Sequence, residues 1–188
     1  MLEMHPWAVT VEHPDRADRV IFDLDPAEGL GFEEVIKAAL EVRERLSALG
    51  LTSFVKTTGG KGLHVVAPIG ADAEWREVKS FAKGVSAEMA ADAPDRFLTK
   101  ISKAERAGRI FIDYLRNDPT STAVAPYSTR SRAGAPVAMP IRWDEVKDGL
   151  DPCDYTIATV PGLLARRKAD PWAEMLEIRQ ALPDGPRG

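Results

Sequence analysis

The spacing of apolar positions changes along this chain, and each change marks an element. Arg19 to Asp25 (RVIFDLD) is a short apolar run halted by Pro26, which cannot continue a central ladder, and it predicts a buried strand. From Phe32 to Leu49 the apolar residues Phe32, Val35, Ile36, Ala39, Leu40, Leu46 and Leu49 recur at helical spacing, and Gly50 supplies a stop, so an amphipathic helix is predicted. Leu51 to Thr57 and Leu63 to Pro68 read as two strands. Between them, Thr58-Gly59-Gly60-Lys61-Gly62 holds the glycines that a tight reversal needs, which predicts an antiparallel hairpin.

A second helix is expected from about Ala73 to Ala90, burying Trp75, Val78, Phe81, Val85 and Met89. Arg109 to Leu115 (RIFIDYL) is a further strand with an acidic residue near its end. Asn117 to Pro140, rich in Pro, Ser, Thr and Gly, is expected to be irregular, as long functional loops are. Asp170-Pro171-Trp172 has the form of an N-cap followed by proline at the first helical position, so a helix is expected from there to about Leu182. The tail from Pro183 to Gly188 is expected to fray. No internal repeat or linker divides the sequence, and 188 residues suit one α/β (α+β) domain over 1–188.

Composition narrows the class. With 44% hydrophobic and 29% charged residues, the chain is neither disordered nor fibrous. No apolar run spans a bilayer, and Met1 to Thr10 lacks a secretory layout, so no membrane partner and a cytoplasmic, nucleoid-associated location are expected. The single cysteine, Cys153, excludes an internal disulfide and a cysteine-cluster zinc site. A net charge of −4 is not the overall signature of a nucleic-acid binder, but the charge is unevenly spread. Acidic residues concentrate at 28–45 and near the C-terminus, whereas Lys100, Lys103, Arg106, Arg109, Arg116, Arg130, Arg132 and Arg142 form a basic middle segment.

Asp23 and Asp25 are two apart on a strand, so both leave one face while Phe22 and Leu24 enter the core. Two close carboxylates repel, and a hard divalent cation is their natural occupant; an Asp-Pro turn opener accounts equally well for the pattern taken alone. Asp113 repeats the device at another strand exit, and three such aspartates could hold two metal ions. Thr57 to His64 (TTGGKGLH) lacks the spacing of a P-loop and joins two strands, which excludes Walker-type binding. Such a hairpin can still present backbone N–H groups, a hydroxyl and a lysine to phosphate. A structural turn explains its glycines but not Thr58, Lys61 and His64. By itself His64 reads as a structural histidine, and Arg130 and Arg132 read either as a solvated loop or as forked phosphate contacts.

In combination the motifs are more specific. Phe22-Asp23-Leu24-Asp25-Pro26, Gly59 to His64 (GGKGLH), Ile112 to Asn117 (IDYLRN) and Ala125 to Arg130 (APYSTR), in this order, resemble the polymerase domain of bacterial ATP-dependent DNA ligase D, within the archaeo-eukaryotic primase superfamily. The resemblance runs from about His5-Pro6-Trp7 to the Asp-Pro-Trp segment. It implies a primase-polymerase fold, with a mostly antiparallel sheet like an RNA-recognition motif flanked by helices. It further implies that Asp23, Asp25 and Asp113 form a catalytic triad holding two Mg2+ or Mn2+ ions. Thr58, Lys61 and His64 would receive the triphosphate, with Thr58 standing where serine is common, and Arg116, Arg130, Arg132 and His5 would lie near it.

The implied activity is addition of nucleotides, often ribonucleotides, to a DNA 3′ end during double-strand-break repair by end joining. Its implied partners are DNA ends, nucleoside triphosphates, the end-binding Ku protein, and ligase and phosphoesterase modules. Family members carry a further N-terminal segment before the His-Pro-Trp region, so the chain is expected to be N-terminally truncated, matching the later two thirds of the family module. Three readings stay open at this point. They are a nucleotidyl transferase, a non-catalytic remnant or accessory chain that binds nucleotide or DNA, and a generic phosphotransferase or hydrolase.

Overall fold

The computed structural model describes residues 2–100 and 106–186. Lys103 of the basic segment and the last two tail residues, Arg187 and Gly188, lie outside the described residues. Along the chain come β1 (Arg19–Pro26), α1 (Phe32–Ala48), β2 (Phe54–Thr57), β3 (Leu63–Pro68), α2 (Trp75–Asp92), β4 (Phe97–Leu98), β5 (Ile110–Asp113), β6 (Pro140–Ile141) and α3 (Val160–Arg166). The strands make one sheet in the order β4-β5-β1-β3-β2-β6. Only the β4–β5 pair is parallel; the other neighbours are antiparallel. This is the mixed α/β architecture with a mostly antiparallel sheet that the sequence led us to expect.

Alternation along the strands divides the sheet into two unlike faces. One face carries Val20, Phe22 and Leu24 of β1, Val55 of β2, Leu63, Val65 and Ala67 of β3, and Ile110 and Ile112 of β5, packed in one core with α1 and α2. Helix α1 contributes Val35, Ile36, Ala38, Ala39, Val42 and Leu46; α2 contributes Val78, Phe81, Ala82, Val85 and Met89. Burying each large side chain stabilises the fold by roughly 1.5–3 kcal/mol. The helix ends follow local chemistry: Gly50 takes φ +79° just after α1, and at the start of α2 the Glu77 carboxylate accepts the Glu74 N–H at 2.8 Å in a capping box.

The opposite face is covered only in part. Ile21, Phe54 and Val66 meet Ala8, Trp172 and Met175 in a smaller cluster. There the Trp172 indole stands edge-on to Phe54 at 6.0 Å and donates to the Val55 carbonyl at 2.9 Å. The rest of this face holds the polar residues described below.

Two expectations need correction. The helix foreseen from Asp170 to about Leu182 is a single 3₁₀ turn, Ala173–Leu176. The cap does form, since the Asp170 carboxylate accepts the Trp172 N–H at 2.7 Å. Beyond it, however, Gln180 is drawn to the strand ends: its amide donates to Thr52 O at 3.0 Å and to Pro68 O at 2.8 Å, and its carbonyl accepts the Gly70 N–H. A helix would carry Gln180 away from those partners. The strand foreseen over Arg109–Leu115 stops at Asp113, whose carboxylate turns back to accept the Leu115 N–H at 2.9 Å.

Candidate active site

The strand register assembles the site. Asp23 lies opposite His64 on β3 and opposite Asp113 on β5, and His64 lies opposite Lys56 on β2. Directly opposed residues share a face. Asp113, Asp23, His64 and Lys56 therefore form one row across four adjacent strands, on the face away from α1 and α2. Asp25 stands one step further along β1 on the same side.

Each carboxylate faces a cation. Arg116 Nε is 3.2 Å from both Asp23 Oδ2 and Asp113 Oδ2, and Arg106 Nη1 is 3.0 Å from Asp25 Oδ2. Arg116 is set in place by its neighbour. The buried Asn117 amide donates to Ile21 O and Tyr114 O at 2.8 Å each, and its carbonyl oxygen accepts the Ile21 N–H at 2.8 Å. This pins the loop after β5 to β1.

The hairpin between β2 and β3 forms the second wall. Gly59 has φ +65°, and a Cβ there would come within 2.6 Å of Arg130 Cγ; one at Gly60 would come within 2.7 Å of Arg132 Nη1. At Gly62 a Cβ would collide with the Leu24 carbonyl. The glycines thus serve both the turn and the close approach of two arginines and of β1. The Thr58 hydroxyl is tied to Gly62 O at 3.2 Å, and Lys61 is exposed.

A third wall comes from the N-terminal residues laid along the loop at 123–131. Ala125 N–H donates to Met4 O at 2.9 Å, Met4 N–H donates to Ser128 Oγ at 2.9 Å, and Thr129 Oγ1 donates to Leu2 O at 2.7 Å. Tyr127 adopts a left-handed backbone, φ 63°. It is held there by its N–H to Ala138 O at 2.7 Å and its hydroxyl to Asp170 Oδ2 at 2.8 Å. Arg130 leaves this turn, donating to Thr58 O at 2.5 Å and meeting Glu3 Oε2 at 3.1 Å. Glu3 also faces His5 Nε2 at 2.9 Å.

These walls enclose a cleft of about 240 Å³ lined by His5, Asp23, Asp25, Thr58, Lys61, His64, Arg116, Arg130 and Arg132. Of the residues singled out in the sequence, Asp113 lies just beneath it, behind Arg116. The basic middle segment does not gather as a whole. Arg142 pairs with Asp144 at 2.9 Å beside β6, and Arg109 reaches Pro94 O. Sequence reading missed Glu3 and Lys56, and placed Arg106 only in the basic middle segment. Lys56 carried the one available signal, a lysine beside Phe54 and Val55 in a short strand.

Charge within the row is finely opposed. Burial pushes the Asp23 carboxyl up, but the pull of His64, Arg116 and Lys56 outweighs it and leaves it at about 2. Burial raises Asp113, the charges of Asp23 and Asp25 add to the rise, and Arg116 opposes it. Burial lowers His64, with Lys56 acting in the same direction. Its contact with Asp23 is thus the hydrogen bond of a neutral imidazole near neutral pH. Burial also lowers Lys56, to about 7, against the attraction of Asp23.

Three aspartates offering only oxygen suit a hard divalent ion, and the burial and carboxylate crowding that raise Asp113 are what such an ion relieves. As placed, the carboxylates turn to guanidinium groups, and among the described residues no three His, Cys, Asp or Glu side chains converge as a ready metal cage. No helix among them is long and apolar enough to cross a membrane.

A six-stranded mixed sheet bearing interleaved carboxylates and cations on its open face defines an α/β protein with a sheet-face site. The chain belongs to the LigD primase-polymerase domain family, whose model matches residues 1–172. It is 35% identical over 182 residues to the multifunctional non-homologous end joining protein LigD of Pseudomonas aeruginosa, covering 96% of this chain and 22% of that protein. It is 31% identical over 160 residues to the bifunctional non-homologous end joining protein LigD of Bacillus subtilis, covering 85% of this chain and 26% of that protein. Among solved structures it is similar to the polymerase domain of Mycobacterium tuberculosis ligase D in complex with DNA, with a TM-score of 0.79 and 33% identity over 85% of this chain and 55% of that one. The chain therefore spans about a quarter or less of these curated relatives.

Proposed function

We propose that this chain performs metal-dependent nucleotidyl transfer, adding nucleotides, ribonucleotides among them, to a DNA 3′ end in end-joining repair. The observation that carries the reading is the row Asp113, Asp23 and His64 beside Asp25, in register across three strands and opening on a cleft walled by Lys61, Arg130 and Arg132. Asp23, Asp25 and Asp113 would hold two divalent ions, Mg2+ or Mn2+. When bound, such ions lower the pKa of the attacking 3′-hydroxyl and neutralise charge on the triphosphate.

The chain's own groups would do the rest. Lys61, Arg130 and Arg132 bring positive charge to the triphosphate, where negative charge builds on the leaving pyrophosphate in the transition state. Thr58 and the hairpin N–H groups orient the phosphates. Arg116, bonded to two of the three aspartates, and Arg106, bonded to the third, offset the carboxylate charge and would yield the carboxylates on metal binding. DNA ends and nucleoside triphosphates are the proposed substrates; Ku and separate ligase and phosphoesterase modules are the proposed partners.

A second reading, nucleotide or DNA binding without transfer, is favoured by the engagement of all three aspartates with arginines. Extension of a labelled recessed primer with ribonucleotides and Mn2+ separates the two, run beside the Asp23→Ala, Asp25→Ala double variant. Transfer predicts extension by the wild type only. Nucleotide binding by a folded wild type that extends nothing would leave the binding reading in its place.

A further inference from the structure

Two buried polar atoms behind the cleft, Lys56 Nζ and His64 Nδ1, have no hydrogen-bond partner among the described residues. The two residues are 2% and 3% exposed. Both line one chamber of about 30 Å³, together with Pro6, Ile21, Val66 and Trp172. They are also cross-strand neighbours in the β2–β3 register.

The needs of the two atoms are opposite. His64 Nε2 lies 3.3 Å from Asp23 Oδ1, and an ionised carboxylate can only accept, so that contact requires the imidazole proton on Nε2. Nδ1 is then a bare acceptor. An ammonium Nζ is a donor with no accepting capacity. A group that accepts from one and donates to the other satisfies both, and the chamber has room for a water molecule but not for a nucleoside.

We propose that Lys56 is a positioning residue of the transfer site: through one ordered water, accepting from Lys56 Nζ and donating to His64 Nδ1, it holds His64 in the tautomer with its proton on Nε2. The proposal deepens the nucleotidyl-transfer reading and rests on it for its consequence. His64 borders the cleft that would receive the triphosphate, and a proton on Nε2, shared with Asp23 Oδ1 at 3.3 Å, is the donor the imidazole can turn toward a phosphate oxygen. The other tautomer would turn a lone pair toward the phosphate.

Long-range 1H–15N correlation spectra of the full chain, free of metal and nucleotide, read the tautomer directly. Only three histidines are present, and the His64→Gln spectrum assigns the signal. We expect a single Nε2–H form for His64 in the wild type and a mixture of tautomers in Lys56→Met. ATP binding by Lys56→Met should weaken about tenfold, the loss of one charge-directed hydrogen bond. A proton on Nδ1 in the wild type overturns the proposal even if the variant does not fold, and so does an unchanged His64 spectrum in a folded Lys56→Met. Because these spectra involve no catalysis, failed primer extension beside the expected tautomer shift would count against the transfer reading alone.

Discussion

The two faces of the sheet are made from alternate residues of the same strands, yet they follow different rules. On β1, Phe22 and Leu24 are fully buried beneath the helices, while Asp23 and Asp25, interleaved with them, face the cleft. On the helix side the buried groups are mostly apolar and contribute through packing, and the buried Ser86 hydroxyl is satisfied within its own helix by Ala82 O. On the other side Asp113, His64 and Lys56 are almost as buried, but they are ionisable, and one charge is balanced against the next. The lesson is that burial serves stability on one face and sets protonation states on the other.

The largest expected effect would separate the faces by activity. Asp23→Ala and Asp25→Ala should each lower metal-dependent extension about 10³-fold or more, the loss of roughly 4 kcal/mol of transition-state stabilisation, with little change in melting temperature. Activity within tenfold of wild type in either variant would remove these carboxylates from the site. The complementary change is Phe22→Ala, next to Asp23 on β1 but on the helix face. It should cost about 3–5 kcal/mol in urea unfolding through cavity formation, and a smaller loss than Asp23→Ala would mean that the helix face is loosely packed.

Asn117→Ala tests the link between the faces. It strands the Ile21 backbone groups that Asn117 now satisfies and should destabilise by about 1–3 kcal/mol, while lowering activity through a loosened Arg116. Unchanged activity with the full stability loss would limit Asn117 to the fold.

The smallest change has the opposite sign. Lys56→Met should stabilise the chain by about 1–3 kcal/mol near pH 6, because an ammonium is costly to bury. The Lys56 pKa falls from 10.5 to about 7 on folding, so between those values the unfolded chain binds more protons than the folded one, and wild-type stability rises with pH. The advantage of Lys56→Met should therefore be full below pH 7 and shrink as pH rises toward 10.5. An advantage independent of pH in urea melts would show that folding leaves the Lys56 pKa unshifted.

Much of this was legible in the sequence. The period of apolar residues located β1, α1, the β2–β3 hairpin and α2, because each has a face whose burial repeats at the spacing of its own backbone. The ordered motifs placed Asp23, Asp25, Thr58, Lys61, His64, Arg116, Arg130, Arg132 and His5 around one site, and the cleft does bring them together. Local chemistry misjudged the Asp170 segment. Its cap is present, but Gln180 has stronger claims on the chain, made by backbone groups of β3 and of the turns flanking β2 and β3, far away in sequence.

What the sequence by itself determined, then, is which residues alternate between core and surface and which short runs could carry charge to a strand end, since both depend on near neighbours. Tertiary structure alone decided that Lys56 lies beside His64, that Glu3 meets Arg130 across 127 positions, and that Arg116 and Arg106 stand on the three aspartates. Those pairings arise from strand register and from the path of the N-terminal residues along the 123–131 loop. Such contacts depend on which backbones meet, and no local pattern of side chains encodes that.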